Sequence, residues 1–315
     1  MSAEPFPRTS VEFDELFGSE EACRNYLFRV RWPDGFICPR CSGTKSWINN
    51  RHLLVCSACG HQTSLTAGTV MQGTRKPLHM WFKAIWWVCT QKTGGSAKGL
   101  QRLLGLGSYQ TAWAWLHKLR RAMIRAGREP LVGPVEVDDA FVGGKEQGVS
   151  GRDTIKKARI VVGVEVPGPL RKSLGRVRIS HIGDFSAISL LSFVLHNVEP
   201  GSKVITDGWE GYRPLSKHGY DHEIRFSNSE MLANVHRVVS LLKRWLLGTH
   251  QGAVRPKQLQ HYLDEFAFRY NRRKSRHVGK IFYRMVQGAS SHEPLSYWQL
   301  VGRSKPGEPL HMDIT

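Results

Sequence analysis

Four cysteines near the start of the chain have the spacing of a metal site. Cys38 and Cys41 form the C-x2-C pair CPRC, and Cys56 and Cys59 form a second pair, CSAC, after 14 intervening residues. Each pair can form a tight turn whose thiolates face one tetrahedral Zn²⁺. Because all four positions are cysteine, we predict structural zinc in a ribbon at about residues 36–62. The alternative, four unrelated buried cysteines, does not account for two matched pairs.

Aspartates in strand-like sequence are the second candidate site. The stretch VEVDDAFVGG, residues 135–144, is typical of a buried strand, yet Asp138 and Asp139 lie in its middle. Aspartate is depleted in strands, and burying a carboxylate without a partner is costly. Asp207 follows the apolar stretch VIT and precedes a glycine in ITDGWEGY. Asp139, on the opposite face of the strand, and Asp207 taken alone also suit a cap or turn.

The chemistry of such a carboxylate pair depends on how close the two groups lie. Two neighbouring carboxylates repel each other, which raises the pKa of one of them unless a cation neutralises the pair. Hard oxygen ligands suit Mg²⁺ or Mn²⁺. Ions of this kind can activate an attacking water or hydroxyl and stabilise the leaving oxygen of a phosphodiester. We therefore predict that Asp138 and Asp207 hold a divalent cation.

The elements around these aspartates predict a mixed α/β domain. Hydrophobic periodicity and turn residues predict strands at 135–142, 158–166, 175–182, 202–206 and 223–226, and helices at 186–197, 231–247 and 259–270. We interpret this order as a ribonuclease-H-like domain, in which the strands carrying Asp138 and Asp207 lie side by side. The predicted fold class is therefore α+β or α/β, with a mixed sheet.

A basic, tryptophan-rich stretch between the two candidate sites predicts a pair of helices. In residues 96–123, Ser96 and Ser108 are placed to cap two helices, and the sequence GLG suits the turn between them. The pattern resembles a helix-turn-helix, whose second helix enters the major groove of DNA, although an ordinary helical hairpin has the same spacing. The side chains expected to meet bases or phosphates are Gln110, Thr111, Trp113, Lys118, Arg120, Arg121, Arg125 and Arg128.

The charge balance predicts a nucleic-acid partner. The 315 residues carry 45 lysines and arginines against 26 acidic residues, a net charge of +19, at an ordinary hydrophobic content of 41%. Such an excess is typical of proteins that bind a polyanion. No apolar run approaches the roughly 18 residues of a membrane-spanning helix, and the start MSAEPFPRTS lacks the pattern of a secretory signal. We expect a cytoplasmic, nucleoid-associated protein.

Taken in order, these segments resemble DDE-type insertion-sequence transposases of the bacterial family related to the eukaryotic Merlin elements. The matching pieces are CPRC…CSAC, SAKGLQRLLGLGSYQTAWAWLHKLR, VEVDDAFVGGK, ITDGWEGY, VHRVVSLLKRWLLGTHQG and YLDEFAFRYNRR, within about residues 20–285. The resemblance implies a ribonuclease-H-like core that cuts and joins DNA with a divalent metal. It also implies that Asp138 is the first catalytic aspartate and Asp207 the second.

The third catalytic position departs from the pattern of the superfamily. A glutamate with a lysine seven residues later is usual there, whereas this chain has His236 and then Lys243. Seven residues are two helical turns, so both side chains project from one face, and imidazole suits Mn²⁺ better than Mg²⁺. His236 could instead face DNA or lie in the core, with Glu223 or Glu230 supplying the third carboxylate. We expect Lys243 and its neighbour, Arg244, to clamp phosphates.

A basic run follows the last predicted amphipathic helix. It contains Asn271, Arg272, Arg273, Lys274, Arg276 and Lys280. Because it follows the proposed catalytic segment directly, we expect Arg272 and Arg273 to contact the DNA backbone. Such a run is also compatible with a merely solvated surface.

The segments combine into a predicted domain organisation and function. We predict an N-terminal region with the zinc ribbon, a helix-turn-helix region, a ribonuclease-H-like DDE-type domain and a basic C-terminal tail, at residues 1–72, 73–130, 131–273 and 274–315. The predicted enzyme binds terminal inverted repeats and target DNA as a homo-oligomer, and catalyses cleavage and strand transfer with Mg²⁺ or Mn²⁺. The alternative is an inactive, transposase-derived DNA-binding protein or repressor, in which His236 at the third position reflects the loss of catalytic activity.

Overall fold

The computed structural model describes residues 5–125, 127–144, 156–167, 173–225, 232–252 and 254–302. The chain divides into two compact units: Met1–Arg125 with Ser275–Thr315, called the helical unit below, and Ala126–Lys274, called the sheet unit. Across the described ranges, no helix combines the length and the apolar character needed to cross a membrane.

The elements follow each other along the chain in three groups. The first part of the helical unit contains α1 (Ser10–Phe17), α2 (Glu20–Arg31), β1 (Ser46–Ile48), β2 (Leu54–Cys56), β3 (Gln62–Thr63), α3 (Leu78–Thr90), α4 (Ala97–Leu104) and α5 (Tyr109–Ala122). The sheet unit contains β4 (Val135–Val142), β5 (Ala158–Glu165), β6 (Val177–Ile182), α6 (Ala187–Asn197), β7 (Lys203–Thr206), a 3₁₀ helix (Glu210–His218), β8 (Asp221–Ile224), α7 (Ala233–His250) and α8 (Pro256–Asn271). The helical unit ends with α9 (Val278–Ser291) and α10 (Tyr297–Val301).

The helical unit is built on an aromatic core to which the C-terminal part of the chain contributes. Phe282 of α9 is fully buried, with its ring centroid 5.3 Å from that of Phe17 and 5.8 Å from that of Phe82. Met285 is equally buried on the same face of α9. The segment 274–315, expected from its composition to be a basic tail, thus contains a packed helix, because its apolar residues recur at helical spacing between the basic ones.

Helices α4 and α5 form the predicted hairpin. The Ser96 hydroxyl accepts a hydrogen bond from the Gly99 amide at 3.0 Å, so this predicted cap is confirmed. Gly105 ends α4 in the left-handed conformation, at φ 59°. Ser108 lies at the start of α5 but makes no side-chain cap bond. Its hydroxyl donates to Gln110 Oε1 at 2.7 Å instead, which corrects the second predicted cap.

The sheet unit has the mixed topology that the sequence predicts. Its five strands lie in the order β6-β5-β4-β7-β8. The β4–β5 and β5–β6 pairs are antiparallel, whereas the β4–β7 and β7–β8 pairs are parallel. Buried side chains of α7 and α8 pack on one face and those of α6 and the 3₁₀ helix on the other. This arrangement confirms a ribonuclease-H-like mixed sheet and places β4 at its centre.

Candidate zinc centre and candidate active site

The four predicted cysteines converge on one point in the helical unit. Their Sγ atoms all lie within 4.8 Å of one another. The Sγ atoms of Cys38 and Cys59 are 3.7 Å apart, and those of Cys41 and Cys56 are 3.6 Å apart. Four sulfurs at about 2.3 Å from a tetrahedral zinc lie roughly 3.8 Å from each other. The cluster therefore has the size of a four-cysteine zinc centre and supports structural Zn²⁺.

The backbone of the two cysteine turns follows one repeated pattern. The amide of Ser42 donates to the carbonyl of Cys38, and that of Gly60 to the carbonyl of Cys56, both at 2.9 Å. Ser42 and Gly60 each have a positive φ, 59° and 67°. The Arg40 amide also donates to Cys38 Sγ at 3.4 Å, which favours the thiolate that a metal requires. Both turns thus present their sulfurs in equivalent positions.

The ribbon around these turns has little apolar core of its own. Besides two of the cysteines, its buried cluster contains Phe36 and Leu54, with Phe28 and Trp32 partly buried against it. A core of this size rarely supports a fold without a disulfide or a metal. The cysteines are free thiols, so the ribbon should depend on zinc for its stability.

Removing zinc should unfold the ribbon. We expect Cys38→Ser, or a chelator, to abolish the hydrogen-exchange protection of β1–β3, because binding of structural zinc contributes about 10 kcal/mol or more to folding. Hydrogen–deuterium exchange of the zinc-loaded and chelated proteins measures this. Cys89→Ser, a change at a half-buried cysteine outside the cluster, is the matched control. Full protection of the ribbon after zinc removal would contradict the assignment.

The sheet places Asp138 and Asp207 side by side, as the sequence predicts. Strands β4 and β7 pair in parallel with Val135 opposite Val204, and the same register, continued for three residues, brings Asp138 level with Asp207. Asp138 is 8% exposed. Asp207 directly follows β7 and is half-buried. The two carboxylates therefore occupy one level of the sheet, at the end of its parallel pair.

The electrostatics of Asp138 indicate uncompensated negative charge at this level. Its pKa is raised from 3.8 to about 6, first by burial and then by the charges of Asp139 and Asp207, with His236 opposing the rise. A group whose pKa rises in this way is destabilised as an anion by its surroundings. A divalent cation between the two carboxylates would relieve this cost.

This pKa shift predicts a pH-dependent stability in the absence of Mg²⁺ and Mn²⁺. A carboxyl with a raised folded-state pKa favours folding below about pH 4 and loses that contribution as pH rises through about 6. We expect Asp138→Asn, which cannot ionise, to unfold at higher urea than the parent protein at pH 8. The expected gain in unfolding free energy is about 3 kcal/mol, vanishing near pH 4. Equal pH profiles of the two proteins would contradict it.

His236 is the third side chain that the structure brings to this point. Its Nε2 lies 3.1 Å from Asp138 Oδ2, and its side chain remains 48% exposed. Among the described residues, only the four cysteines gather three or more ligand atoms of His, Cys, Asp or Glu within 4.8 Å. The ligand atoms of Asp138, Asp207 and His236 therefore do not all lie within 4.8 Å of one another. What relates Asp207 to the Asp138–His236 pair is the strand register and its charge, which contributes to the raised pKa of Asp138.

Glu223 and Glu230 are the alternatives to His236 for the third position of the site. Glu223 forms ion pairs with Lys203 and Arg225, each at 2.6 Å, and these contacts hold the pKa of its carboxyl below the ordinary value. Its charge is therefore already neutralised by side chains. Glu230 lies outside the described residues.

The sequence around Asp207 combines a turn with the proposed ligand. Asp207 Oδ1 accepts a hydrogen bond from the Trp209 amide at 3.0 Å, and Gly208 has a φ of 84°. The turn interpretation therefore accounts for one carboxylate oxygen of Asp207. The Trp209 indole donates to the Phe185 carbonyl at 3.1 Å. Tyr212 is fully buried and packs in the core of the sheet unit.

Helix α7 carries an exposed polar face beyond His236. Arg237, Ser240, Lys243 and Arg244 are all exposed, and Lys243 follows His236 by two helical turns. The buried side of the same helix carries valine and leucine side chains. This amphipathic pattern leaves the basic face to solvent, beside the candidate active site.

The predicted DNA-facing residues of α5 differ in exposure. Gln110 is exposed, Thr111 and Arg121 are half-buried, and burial lowers the pKa of Lys118. The Lys118 Nζ lies 6.0 Å from the centroid of the Trp81 ring. Lys118 is half-buried like Thr111 and Arg121, because most of α5 beyond its first turn is packed, and its contact with DNA stays a prediction. A cavity of about 320 Å³ beside this turn is lined by residues that include Ser108, Gln110, Thr111, Trp115, Lys118 and Tyr297.

Arg272 and Arg273 pack on the end of α8. The Arg272 guanidinium lies 3.9 Å from the Phe268 ring centroid, and that of Arg273 lies 4.0 Å from the Tyr270 ring centroid. Arg273 also donates to the Tyr270 carbonyl at 2.8 Å. Both guanidiniums thus have structural contacts, and their contact with DNA stays a prediction.

One residue near the site was missed by reasoning from sequence. Glu136 is 1% exposed and lies on the same face of β4 as Asp138. Its carboxylate accepts hydrogen bonds from the Asn234 amide, the Asn234 side chain and the Val235 amide, at 2.9, 2.6 and 2.9 Å. The available signal was a second acidic residue at strand spacing from Asp138 in an otherwise apolar stretch.

Two family models match the chain. An ISXO2-like transposase domain matches residues 130–271, which include Asp138, Asp207 and His236. A transposase zinc-ribbon domain matches residues 18–62, which include the four clustered cysteines. Together the two matches cover more than half of the chain. No curated protein matches it at a significant level. The chain therefore belongs to the DDE-type insertion-sequence transposases, with a zinc ribbon ahead of the DDE domain.

Proposed function

We propose that this transposase binds the terminal inverted repeats of its element and catalyses divalent-metal-dependent cleavage and strand transfer. One observation carries the proposal: Asp138 and Asp207 lie level on adjacent parallel strands, with His236 Nε2 at 3.1 Å from Asp138. The resemblance assigns the two aspartates to catalysis, and His236 occupies the third position, where a glutamate is usual. Their chemistry supports an active enzyme rather than a decayed one, since imidazole is itself a metal ligand.

The donor set fits a divalent cation such as Mg²⁺ or Mn²⁺. Asp138 and Asp207 would hold the ion through carboxylate oxygens, and His236 would add a neutral nitrogen. When bound, the ion would supply Lewis-acid activation of the attacking hydroxyl and stabilise the leaving oxygen. Because one ligand is a nitrogen, Mn²⁺ should support the reaction better than Mg²⁺. Asp207 Oδ1 remains oriented by the Trp209 amide.

Two exposed surfaces support DNA binding in this proposal. On α7, Lys243 and Arg244 are exposed beside His236 and would hold the backbone near the scissile phosphate. On α5, the first turn with Gln110 and Thr111 would meet bases, as the start of a recognition helix does. The net charge of +19 favours both contacts. Because two element ends must be joined, we also propose that the active form is a homo-oligomer on DNA.

Incubation with DNA from the ends of the element tests the proposal. In the presence of Mn²⁺ or Mg²⁺, the protein should nick the DNA at the element boundary and produce strand-transfer products with target DNA. Neither product should form in the presence of EDTA. Tight binding without cleavage, whatever the metal, would reject the enzymatic proposal and leave a DNA-binding protein of transposase descent.

A further inference from the structure

The carboxylate of Glu136 is committed to the start of α7. Its Oε2 accepts the backbone amides of Asn234 and Val235, and its Oε1 accepts the Asn234 side chain. With 1% exposure, this carboxylate has little access to water. Both carboxylate oxygens of Glu136 are therefore occupied by hydrogen-bond donors at the start of α7. Glu136 thus differs from the neighbouring Asp138, whose carboxylate contacts the His236 side chain.

Helix α7 depends on Glu136 for a cap that its own sequence does not provide. Leu232 occupies the N-cap position, and no side-chain cap bond is made there. The first amides of a helix have no partner within the helix and carry the positive end of its dipole. The Glu136 carboxylate satisfies two of these amides and adds a favourable charge. A residue on β4, about a hundred residues earlier in sequence, thus replaces the usual local cap.

The spacing of these contacts ties α7 to β4 at two points. Glu136 and Asp138 are two residues apart on one face of the strand, about 6.7 Å along it. On the helix, the matching partners are Asn234 and His236. The apolar side of α7 packs on the sheet, but packing of apolar side chains fixes the position of a helix start less exactly than hydrogen bonds do. The contacts at Glu136 fix the start of α7 relative to β4, directly before His236.

We propose that Glu136 is a positioning residue that holds His236 against Asp138. The assignment of the His236–Asp138 pair to a metal site rests on the proposed function, whereas the positioning itself does not. Glu136 is not a metal ligand in this account, since its two oxygens already bind α7. It acts through the helix, as groups behind the direct ligands of metal sites do.

The positioning is tested by NMR of His236 in zinc-loaded protein without Mg²⁺ or Mn²⁺. Imidazole resonances of His236 are assigned with His236→Gln, and Asp138→Ala gives their positions when the contact is lost. We expect Glu136→Gln to move them at least about halfway to the Asp138→Ala positions, because an amide in place of the carboxylate presents a donor to other donors. Unchanged His236 resonances in folded Glu136→Gln would overturn the proposal.

Two further variants make this test robust. Glu165→Gln changes another buried carboxylate of the sheet unit, which binds Arg176 and the Val132 amide, and should leave the His236 resonances unmoved. If Glu136→Gln does not fold, Asn234→Ala removes only the side-chain donor and should move the resonances in the same direction. Equal movement in Glu165→Gln, or none in Asn234→Ala, would overturn the proposal.

Mn²⁺ binding distinguishes failure of this proposal from failure of the proposed function. By electron paramagnetic resonance, we expect Glu136→Gln to weaken Mn²⁺ binding about tenfold, and to have little further effect in a His236→Ala background. An equal loss in both backgrounds would show that Glu136 does not act through His236. A parent protein without Mn²⁺ at Asp138 and Asp207 would refute the metal site, while the His236 resonances still decide the positioning.

Discussion

Asp138→Ala and Asp207→Ala should each lower the rate of end-DNA nicking by about 10³-fold or more, while binding of end DNA is retained. Each variant removes one of two carboxylates that lie at the same level of adjacent parallel strands, and a bound metal ion contributes several kcal/mol to such reactions. Single-turnover nicking with end DNA in Mn²⁺ measures the loss, and a gel-shift titration of the same DNA measures the binding.

The neighbouring carboxylate of β4 provides the matched control. Asp139 lies next to Asp138 in the strand, and its side chain points to the opposite face. Asp139→Asn removes one negative charge at almost the same place, so it should change nicking by less than about tenfold. Nicking that survives in Asp138→Ala or Asp207→Ala, or a loss as large in Asp139→Asn, would contradict the assignment of the two ligands.

Substitution of His236 should have the second largest effect. We expect His236→Ala to lower nicking about 100-fold, because a ligand and the hydrogen-bond partner of Asp138 are lost together. His236→Glu should retain activity and shift the metal preference from Mn²⁺ toward Mg²⁺, because an oxygen donor replaces a nitrogen donor. Nicking rates across a series of Mn²⁺ and Mg²⁺ concentrations separate these effects.

The control for His236 is a histidine remote from the site. His196 on α6 is exposed, and its Nδ1 lies 2.7 Å from the Ser192 carbonyl of the same helix. His196→Ala should leave nicking unchanged. Full activity of His236→Ala would instead transfer the third position to a glutamate, such as Glu230.

Features encoded by local pattern could be predicted from the sequence. The strand at 135–142 was predicted with its observed bounds, because alternating apolar residues define it. The four cysteines were identified from spacing alone. The fifth strand was predicted at 223–226 and lies at Asp221–Ile224, and the helix predicted at 231–247 is Ala233–His250. Ends of elements depend on caps and tertiary contacts, so they are less certain from sequence.

Features that depend on distant contacts could not be predicted in this way. The role of Glu136 requires Asn234, 98 residues later, and nothing in the local sequence of either residue indicates the pairing. The 3₁₀ helix Glu210–His218 contains Pro214, which obscured any helical pattern. The segment around α9 was predicted to be a basic tail because of its lysines and arginines, although its apolar residues recur at the spacing of a buried helix. The half-buried position of Lys118 could not be predicted either, because the sequence does not show what packs around α5.

The most direct measurement is anomalous X-ray diffraction from crystals of this protein soaked in Mn²⁺. We expect one strong manganese peak between the carboxylates of Asp138 and Asp207, within coordination distance of His236 Nε2. No peak there, or a manganese ion bound elsewhere with the two aspartates far apart, would contradict it.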